Sequence, residues 1–195
     1  AGNYNDTVSI ELEVGVTPRP TFEMELSPGW HLISIPWYID PSGVQVIRET
    51  QGLNFSICEY NATTGLWKTP EKLQPLHGYW INMYEAGTIV FTKSIEPLQV
   101  PPSRLLTEDW NLIGPSFGDE DPLEEGLSAT QVLASLTEDG FTSFSHLVLY
   151  NETTRMYTTY TAVRWEDVEA WNLILRPGQG CWIGMREEDT LLGRL

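Results

Sequence analysis

Residues able to do acid–base, nucleophilic or metal chemistry are few and scattered. His31, His77 and His146 are the only histidines, and none has metal-ligand spacing to a cysteine or carboxylate. Serine-nucleophile, phosphate-binding and dinucleotide-binding glycine motifs are absent. The sequence therefore predicts a protein that is not an enzyme, with no cofactor and no catalytic, cofactor-binding or metal residues.

The acidic run 118–125 is the strongest concentration of hard oxygen ligands. Its five carboxylates suit Ca²⁺, but their spacing does not follow the EF-hand loop. A solvated loop is favoured and a cation site is the alternative. The carboxylates are Asp119, Glu120, Asp121, Glu124 and Glu125.

Aromatic side chains offer a different binding chemistry, because exposed rings can stack on sugar rings. Eight aromatic residues lie away from the repeated core positions described below. Packing between the two halves of the chain is the competing interpretation. These residues are Trp37, Tyr38, Trp67, Tyr84, Tyr157, Tyr160, Trp165 and Trp171.

Two cysteines and four N-glycosylation sequons are relevant to whether the protein is exported. Cys58 and Cys181 form one disulfide, worth about 2–4 kcal/mol, or remain two buried thiols. Four sites match the N-glycosylation pattern, which predicts an exported cell-surface protein carrying N-linked glycans; good turn residues are the alternative. The sequon asparagines are Asn5, Asn54, Asn61 and Asn151.

The elements that position these residues are organised as a duplication. Residues 73–83 return as 175–185, with Leu, Pro, Gly, Trp, Ile and Met in one register. This pattern predicts a Pro/Gly turn leading into a strand whose tryptophan, Trp80 or Trp182, fills a core. Further matches join Trp30 to Trp110 and the Tyr-Asn-x-Thr-Thr turn at 60–64 to that at 150–154.

The predicted fold is mainly β (α+β): two tandem, homologous, β-sandwich-like modules with one short helix each, preceded by a detached N-terminal β-strand. Ser42 is the expected helix cap in the first module. A helical crossover between the Trp30 and Phe55 strands also allows one parallel pair. We expect a strand and Pro-containing linker over 1–20, repeat 1 over 21–100 and repeat 2 over 101–195.

The clearest alternating strand stands outside both repeats, at residues 7–16, where every second residue is apolar. The Thr17–Pro20 linker cannot continue a ladder. The strand must bury its apolar face either on its own repeats or on a neighbouring subunit. Its apolar residues are Val8, Ile10, Leu12, Val14 and Val16.

Charge narrows the range of partners. The net charge of −16 opposes phosphate binding and excludes nucleic acid as an expected partner. No apolar stretch approaches the length of a membrane span.

The segment 29–36, the two Tyr-Asn-x-Thr-Thr hairpins and the Pro-x-x-Gly-x-Trp-Ile strands resemble modules found in tandem in archaeal, methanogen-type cell-surface and surface-layer proteins. The resemblance covers roughly residues 22–195. Repeat 2 departs from it at Asp109, which replaces the glycine before Trp110, at 114–116, and at Cys181 in place of an aromatic residue. The resemblance implies a glycosylated, non-enzymatic surface role.

The expected function is therefore a structural protein of the cell exterior, such as a surface-layer, sheath or filament subunit. Copies of the chain would be its partners, held by addition of the N-terminal strand to a neighbour. An extracellular carbohydrate-binding or adhesion module that uses exposed aromatic rings is the alternative.

Overall fold

The computed structural model describes residues 18–95 and 100–194, so the predicted strand at 7–16 lies outside the described residues. The described part of the chain is mainly β, with 46% of its residues in strands and 10% in three short helices. The predicted β-rich α+β class is confirmed.

Alternating apolar residues and turn residues divide the chain into short strands. In repeat 1 the elements are β1 (Thr21–Leu26), β2 (Gly29–Ser34), α1 (Val44–Gln51), β3 (Phe55–Asn61), β4 (Leu66–Lys68), β5 (Gly78–Met83) and β6 (Gly87–Thr92). In repeat 2 they are β7 (Ser103–Leu106), β8 (Asp109–Ile113), β9 (Leu127–Ser128), α2 (Ala129–Val132), β10 (Thr137–Glu138), β11 (Phe141–Thr142), β12 (Phe144–Asn151), β13 (Met156–Thr161), α3 (Trp165–Ala170), β14 (Ile174–Leu175), β15 (Cys181–Met185) and β16 (Asp189–Leu192).

Both repeats have one topology. A four-stranded sheet has the order β2-β5-β3-β4 in repeat 1 and β8-β15-β12-β13 in repeat 2. A two-stranded sheet, β1-β6 or β7-β16, accompanies each. The parallel pair allowed by the helical crossover does not form, because β5 lies between β2 and β3 and pairs antiparallel with both.

The helices depart from the sequence expectation in two places. Gly43, not Ser42, is the N-cap of α1, and it gives no side-chain bond. Repeat 2 has two helices instead of one. Its α2 begins with a capping box at Ser128, and its insertion folds as α3, where Asp167 Oδ2 accepts the Val163 and Arg164 N–H groups at 2.8 and 2.9 Å.

The repeated tryptophans do not fill the cores. Side chains alternate across a strand, and in β5 the core side belongs to Tyr79, Ile81 and Met83, each at most 1% exposed. Cys181, Ile183 and Met185 take the same positions in β15. Trp80 and Trp182 therefore lie on the opposite face of each sheet, half-buried, and the predicted core role is wrong.

The two repeats also share unusual backbone conformations. Leu76, Asp109 and Arg155 have positive φ angles of 66°, 71° and 58°. In the other repeat the corresponding residues are Gly178, Gly29 and Gly65, with φ of 79°, 118° and 67°. Glycine adopts this region freely, whereas a Cβ makes it costly. The turn geometry is thus the same in both repeats although the residue differs.

The repeats meet through reciprocal contacts of their four-stranded sheets. A Cβ added at Gly78 would lie 2.7 Å from the Ile113 carbonyl oxygen, and one added at Gly180 would lie 2.7 Å from that of Ile33. The Gly180 N–H donates to the Leu32 carbonyl at 3.1 Å, and the Ser34 N–H donates to the Gly178 carbonyl at 2.8 Å. Close backbone approach at these glycines joins the two sheets.

Candidate functional site

Eight aromatic residues on the faces opposite the cores form two equivalent clusters. The first cluster combines β2 and β5 of repeat 1 with the β12–β13 hairpin of repeat 2; its members are Trp30, Trp80, Tyr150 and Tyr157. The second combines β8 and β15 of repeat 2 with the β3–β4 hairpin of repeat 1; its members are Trp110, Trp182, Tyr60 and Trp67. Each hairpin thus completes the cluster of the other repeat.

A repeated tryptophan is the centre of each cluster. Trp80 has its ring centroid 6.3 Å from Trp30 and 5.0 Å from Tyr150, both edge-on. Trp182 is 6.4 Å from Trp110 and 5.2 Å from Tyr60, again edge-on. Edge-to-face pairs are the favoured arrangement of aromatic rings. The clusters therefore pack the repeats together.

Packing leaves much of these rings in contact with solvent. Trp30, Trp67, Trp110 and Tyr157 are 50%, 49%, 43% and 55% exposed. The first cluster lines a groove of about 580 Å³, and Tyr60, Trp110 and Trp182 of the second cluster line one of about 310 Å³. Trp67 lines the first groove and contacts Trp182 in the second, which places the two grooves side by side.

Sequence reasoning selected mostly other aromatic residues. Trp67 and Tyr157 belong to the clusters, but Trp37 is buried in the core of repeat 1. Tyr160, Trp165 and Trp171 pack against the core of repeat 2, and Tyr38 and Tyr84 are exposed outside the grooves. Nothing in the local sequence of β5 separates Trp80 from Tyr79, because both are large and apolar.

The hairpin tips hold two of the four sequons. Asn61 Oδ1 accepts the Thr64 N–H at 3.0 Å, and Asn151 Oδ1 accepts the Thr154 N–H at 2.9 Å. This leaves Nδ2, the atom that carries an N-glycan, without a partner among the described residues. Asn54 is also exposed, and Asn5 lies outside the described part of the chain.

Of the two alternatives for the cysteines, the disulfide is not formed, and both cysteines are free. Cys58 pairs with Trp80 across β3 and β5 and lines the first groove, whereas Cys181 faces the core of repeat 2. The two thiols therefore lie on opposite faces of different sheets. Burial raises the pKa of both, and that of Cys181 reaches about 12.

These environments predict different thiol reactivity. Cys58, in the open groove, should be alkylated slowly by iodoacetamide in the native protein, since only thiolate attacks and its raised pKa limits thiolate. Cys181, fully buried, should react only after unfolding. Peptide mass spectrometry after native and denaturing alkylation checks this, and a native disulfide peptide would contradict it.

Two carboxylates of the acidic run, and His31, are occupied by structural contacts. Asp119 pairs with Lys93, and Asp121 pairs with Arg194 at 2.8 Å. His31 lies 2.7 Å from the Ser27 carbonyl and 2.8 Å from the Glu152 carboxylate. Within residues 18–95 and 100–194, no three His, Cys, Asp or Glu side chains are placed to hold a metal ion.

A second candidate site is the outer edge of β13, the last strand of the repeat 2 sheet. The Ala162 N–H donates inward to the Ser145 carbonyl, whereas the Thr161 carbonyl faces outward and accepts Trp171 Nε1 at 3.1 Å. Along a strand, the N–H and C=O groups of successive residues point alternately to the two sides. The N–H and C=O groups of Thr159 and Tyr157 therefore also point outward. None of the described residues pairs with them.

In the described ranges, no helix has both the length and the apolar character needed to cross a membrane. No family model, no curated protein and no solved structure matches this chain.

Proposed function

We propose that this chain is a non-enzymatic structural protein of the cell exterior, which assembles with copies of itself. The donor is the alternating strand Val8, Ile10, Leu12, Val14 and Val16, and the acceptor is the outer edge of β13 in a neighbouring copy. The observation that carries the proposal is the open, uncharged edge of β13, whose sequence is MYTTYT.

Natural sheets protect long edges, since an unpaired edge is a template for another strand. Elsewhere in this chain such protection is visible. The Gln51 side-chain amide bonds both the N–H and the C=O of Val90 in β6, and Ser135 Oγ accepts the Leu192 N–H of β16. The β1 edge carries Glu23 and Glu25, and β4 has only three residues. The six residues of β13 have no charge, proline or bulge.

Strand addition suits both partners chemically. Hydrogen bonds to the added strand would satisfy the outward backbone groups of Tyr157 and Thr159. The donor strand would bury its apolar side chains, which are every second residue. Donor and acceptor are different surfaces of the same chain, so the contact is head-to-tail. Such contacts propagate into a filament or layer unless they close as a ring.

Deleting residues 1–16 should abolish assembly and leave a folded monomer. Thr159→Pro should do the same from the acceptor side, because it removes an outward N–H and leaves the inward ladder to β12 intact. Thr159→Val is the matched control, since it keeps the N–H and the strand propensity. Electron microscopy and sedimentation velocity report assembly, and circular dichroism reports the fold.

Assembly by the truncated chain would rule out the strand donor. Assembly by Thr159→Pro, with the truncated chain monomeric, would move the acceptor to another edge.

Carbohydrate binding is a second candidate function, favoured by the exposed rings of the two grooves. Binding sites of this kind are mostly aromatic with a few polar groups. Neutral oligosaccharides should bind weakly, and Trp30→Ala should weaken that binding while Tyr84→Ala, an exposed aromatic outside both grooves, should not.

A further inference from the structure

We infer that the first groove binds an acidic sugar residue, whose ring stacks on Trp30 and Tyr157 while its carboxylate pairs with Arg155. This inference rests on the second candidate function, carbohydrate binding, and adds the chemical class of the ligand. It comes from a charged residue that lines the first groove and has no counterpart in the second.

That residue is at a hairpin tip. Arg155 N–H donates to the Asn151 carbonyl at 2.7 Å, and in repeat 1 the Gly65 N–H donates to the Asn61 carbonyl at 2.8 Å. Both residues are in the left-handed region, where glycine fits and a side chain is disfavoured. Repeat 2 nevertheless has an arginine there, and its side chain lines the first groove.

Arg155 is also a cation without an anion. The chain has 27 acidic and 11 basic residues. Four of the cations pair with carboxylates: Arg19 with Asp40, Lys68 with Glu59, Lys93 with Asp119 and Arg194 with Asp121. Lys72, Arg164 and Arg176 are exposed without a carboxylate partner among the described residues, but none of them lines either groove. Arg155 has no acidic partner among the described residues. Its neighbour along the turn, Glu152, lies against His31 instead.

The first groove thus combines ring faces with one unpaired guanidinium. The ring faces suit the apolar face of a sugar, and the planar guanidinium suits a carboxylate, which it can bind through two parallel hydrogen bonds. The second groove, lined by Tyr60, Trp110, Val148 and Trp182, has no cation and suits a neutral sugar. Since Trp67 joins the grooves, the ligand is an oligosaccharide that carries an acidic unit at one end of the site.

The net charge of −16 repels anions at long range. At about 0.15 M ionic strength this repulsion is screened beyond about 8 Å, so the contact with Arg155 decides the preference. Short ligands with one to three carboxylates are favoured over long polyanions for the same reason.

The test is a titration of the full chain with trigalacturonic acid and with its methyl ester, followed by calorimetry and by tryptophan fluorescence. These ligands differ in charge and share the sugar rings. We expect the acid to bind about tenfold more tightly than the ester. Arg155→Gly should remove this preference and keep ester binding. Glycine is the residue that repeat 1 has at the corresponding position, Gly65. Lys72→Ala is the control, because it removes one positive charge outside the grooves.

Equal affinity for acid and ester, or a preference that survives Arg155→Gly, would overturn the acidic-sugar inference and leave carbohydrate binding standing. Absence of binding by both ligands and by neutral oligosaccharides would overturn the second candidate function together with the inference. Loss of the preference in Lys72→Ala as well would assign it to general charge and overturn the role of Arg155.

Discussion

Serine at position 114 is expected to destabilise the protein by about 3–5 kcal/mol. Gly114 packs against the side chain of Ser34, and a Cβ added at Gly114 would overlap both Cβ and Oγ of Ser34. Ser34 is fully buried, and its Oγ donates to the Gln179 carbonyl at 3.1 Å. The serine therefore has no free space to move into, and the two sheets would have to separate.

Removing the side chain of Ser34 from the same chain should restore most of this loss. Positions 34 and 114 correspond in the two repeats, so the double variant Ser34→Gly, Gly114→Ser exchanges the two residues across the junction. A Cβ at position 114 lies 3.4 Å from the Gln179 carbonyl oxygen, so the new hydroxyl would lie beside the acceptor that Ser34 Oγ uses in the wild type. Ser34→Gly alone should cost about 1 kcal/mol, the value of one hydrogen bond.

Urea unfolding of the four proteins gives the coupling energy between the two positions. We expect a coupling energy of about 2–4 kcal/mol, with the double variant more stable than the sum of the two single effects predicts. If the two single effects simply add, the destabilisation by serine at position 114 does not come from its contact with the Ser34 side chain.

Much of the β architecture can be predicted from the sequence because the evidence is local. The alternation in β1, the two Tyr-Asn-x-Thr-Thr hairpins and the repeated Pro/Gly turns each specify a strand or a turn within about ten residues. The duplication then implies one topology for both repeats. The structure has the same strand order in each.

The error about the tryptophans has a physical cause. A strand with apolar residues on both faces has no alternation to reveal its inner face, and in β5 both Tyr79 and Trp80 suit burial. Which of these two residues faces the core depends on what covers the other face of the strand. Here the hairpin of the other repeat does so, and it covers Trp80 with Tyr150 and Trp182 with Tyr60. This long-range contact has no local signature.

The candidate sites could be predicted only in part, because they too depend on contacts between distant residues. The sequence predicts a strand donor at 7–16, but an open acceptor edge depends on which edges are covered by distant residues such as Gln51 and Ser135. Arg155 could have been noticed, since it stands where the first hairpin has Gly65. Its position in the groove follows only from the crossing of the hairpins.

The junction between the repeats should also make the protein sensitive to acid through His77. Burial lowers the pKa of His77 to about 3, with contributions from the positive charges of Arg104 and Lys68. Arg104 is held nearby because its guanidinium donates to the carbonyls of Leu76 and Leu112 at 2.9 and 2.6 Å. His77 Nδ1 lies 3.8 Å from Glu59 Oε2.

The direction of the pH effect follows from the lowered pKa. The unfolded chain binds a proton at His77 near the ordinary pKa of about 6.5, whereas the folded protein resists protonation down to about 3. As the pH falls below about 6.5, the unfolded state is favoured by about 1.4 kcal/mol per pH unit from this group alone. Between pH 7 and about pH 4.5 the expected loss is about 2–3 kcal/mol.

His77→Gln isolates this contribution, because Gln179 is the corresponding residue in repeat 2 and the side chain fits that turn. There Gln179 Oε1 accepts the Arg176 N–H at 3.0 Å. The variant should match the wild type within about 1 kcal/mol near pH 7 and exceed its stability by about 2–3 kcal/mol near pH 4.5. Urea midpoints across this range measure the difference. Parallel pH profiles would mean that His77 is protonated as readily in the folded protein as in the unfolded chain, and that the junction tolerates a second positive charge beside Arg104.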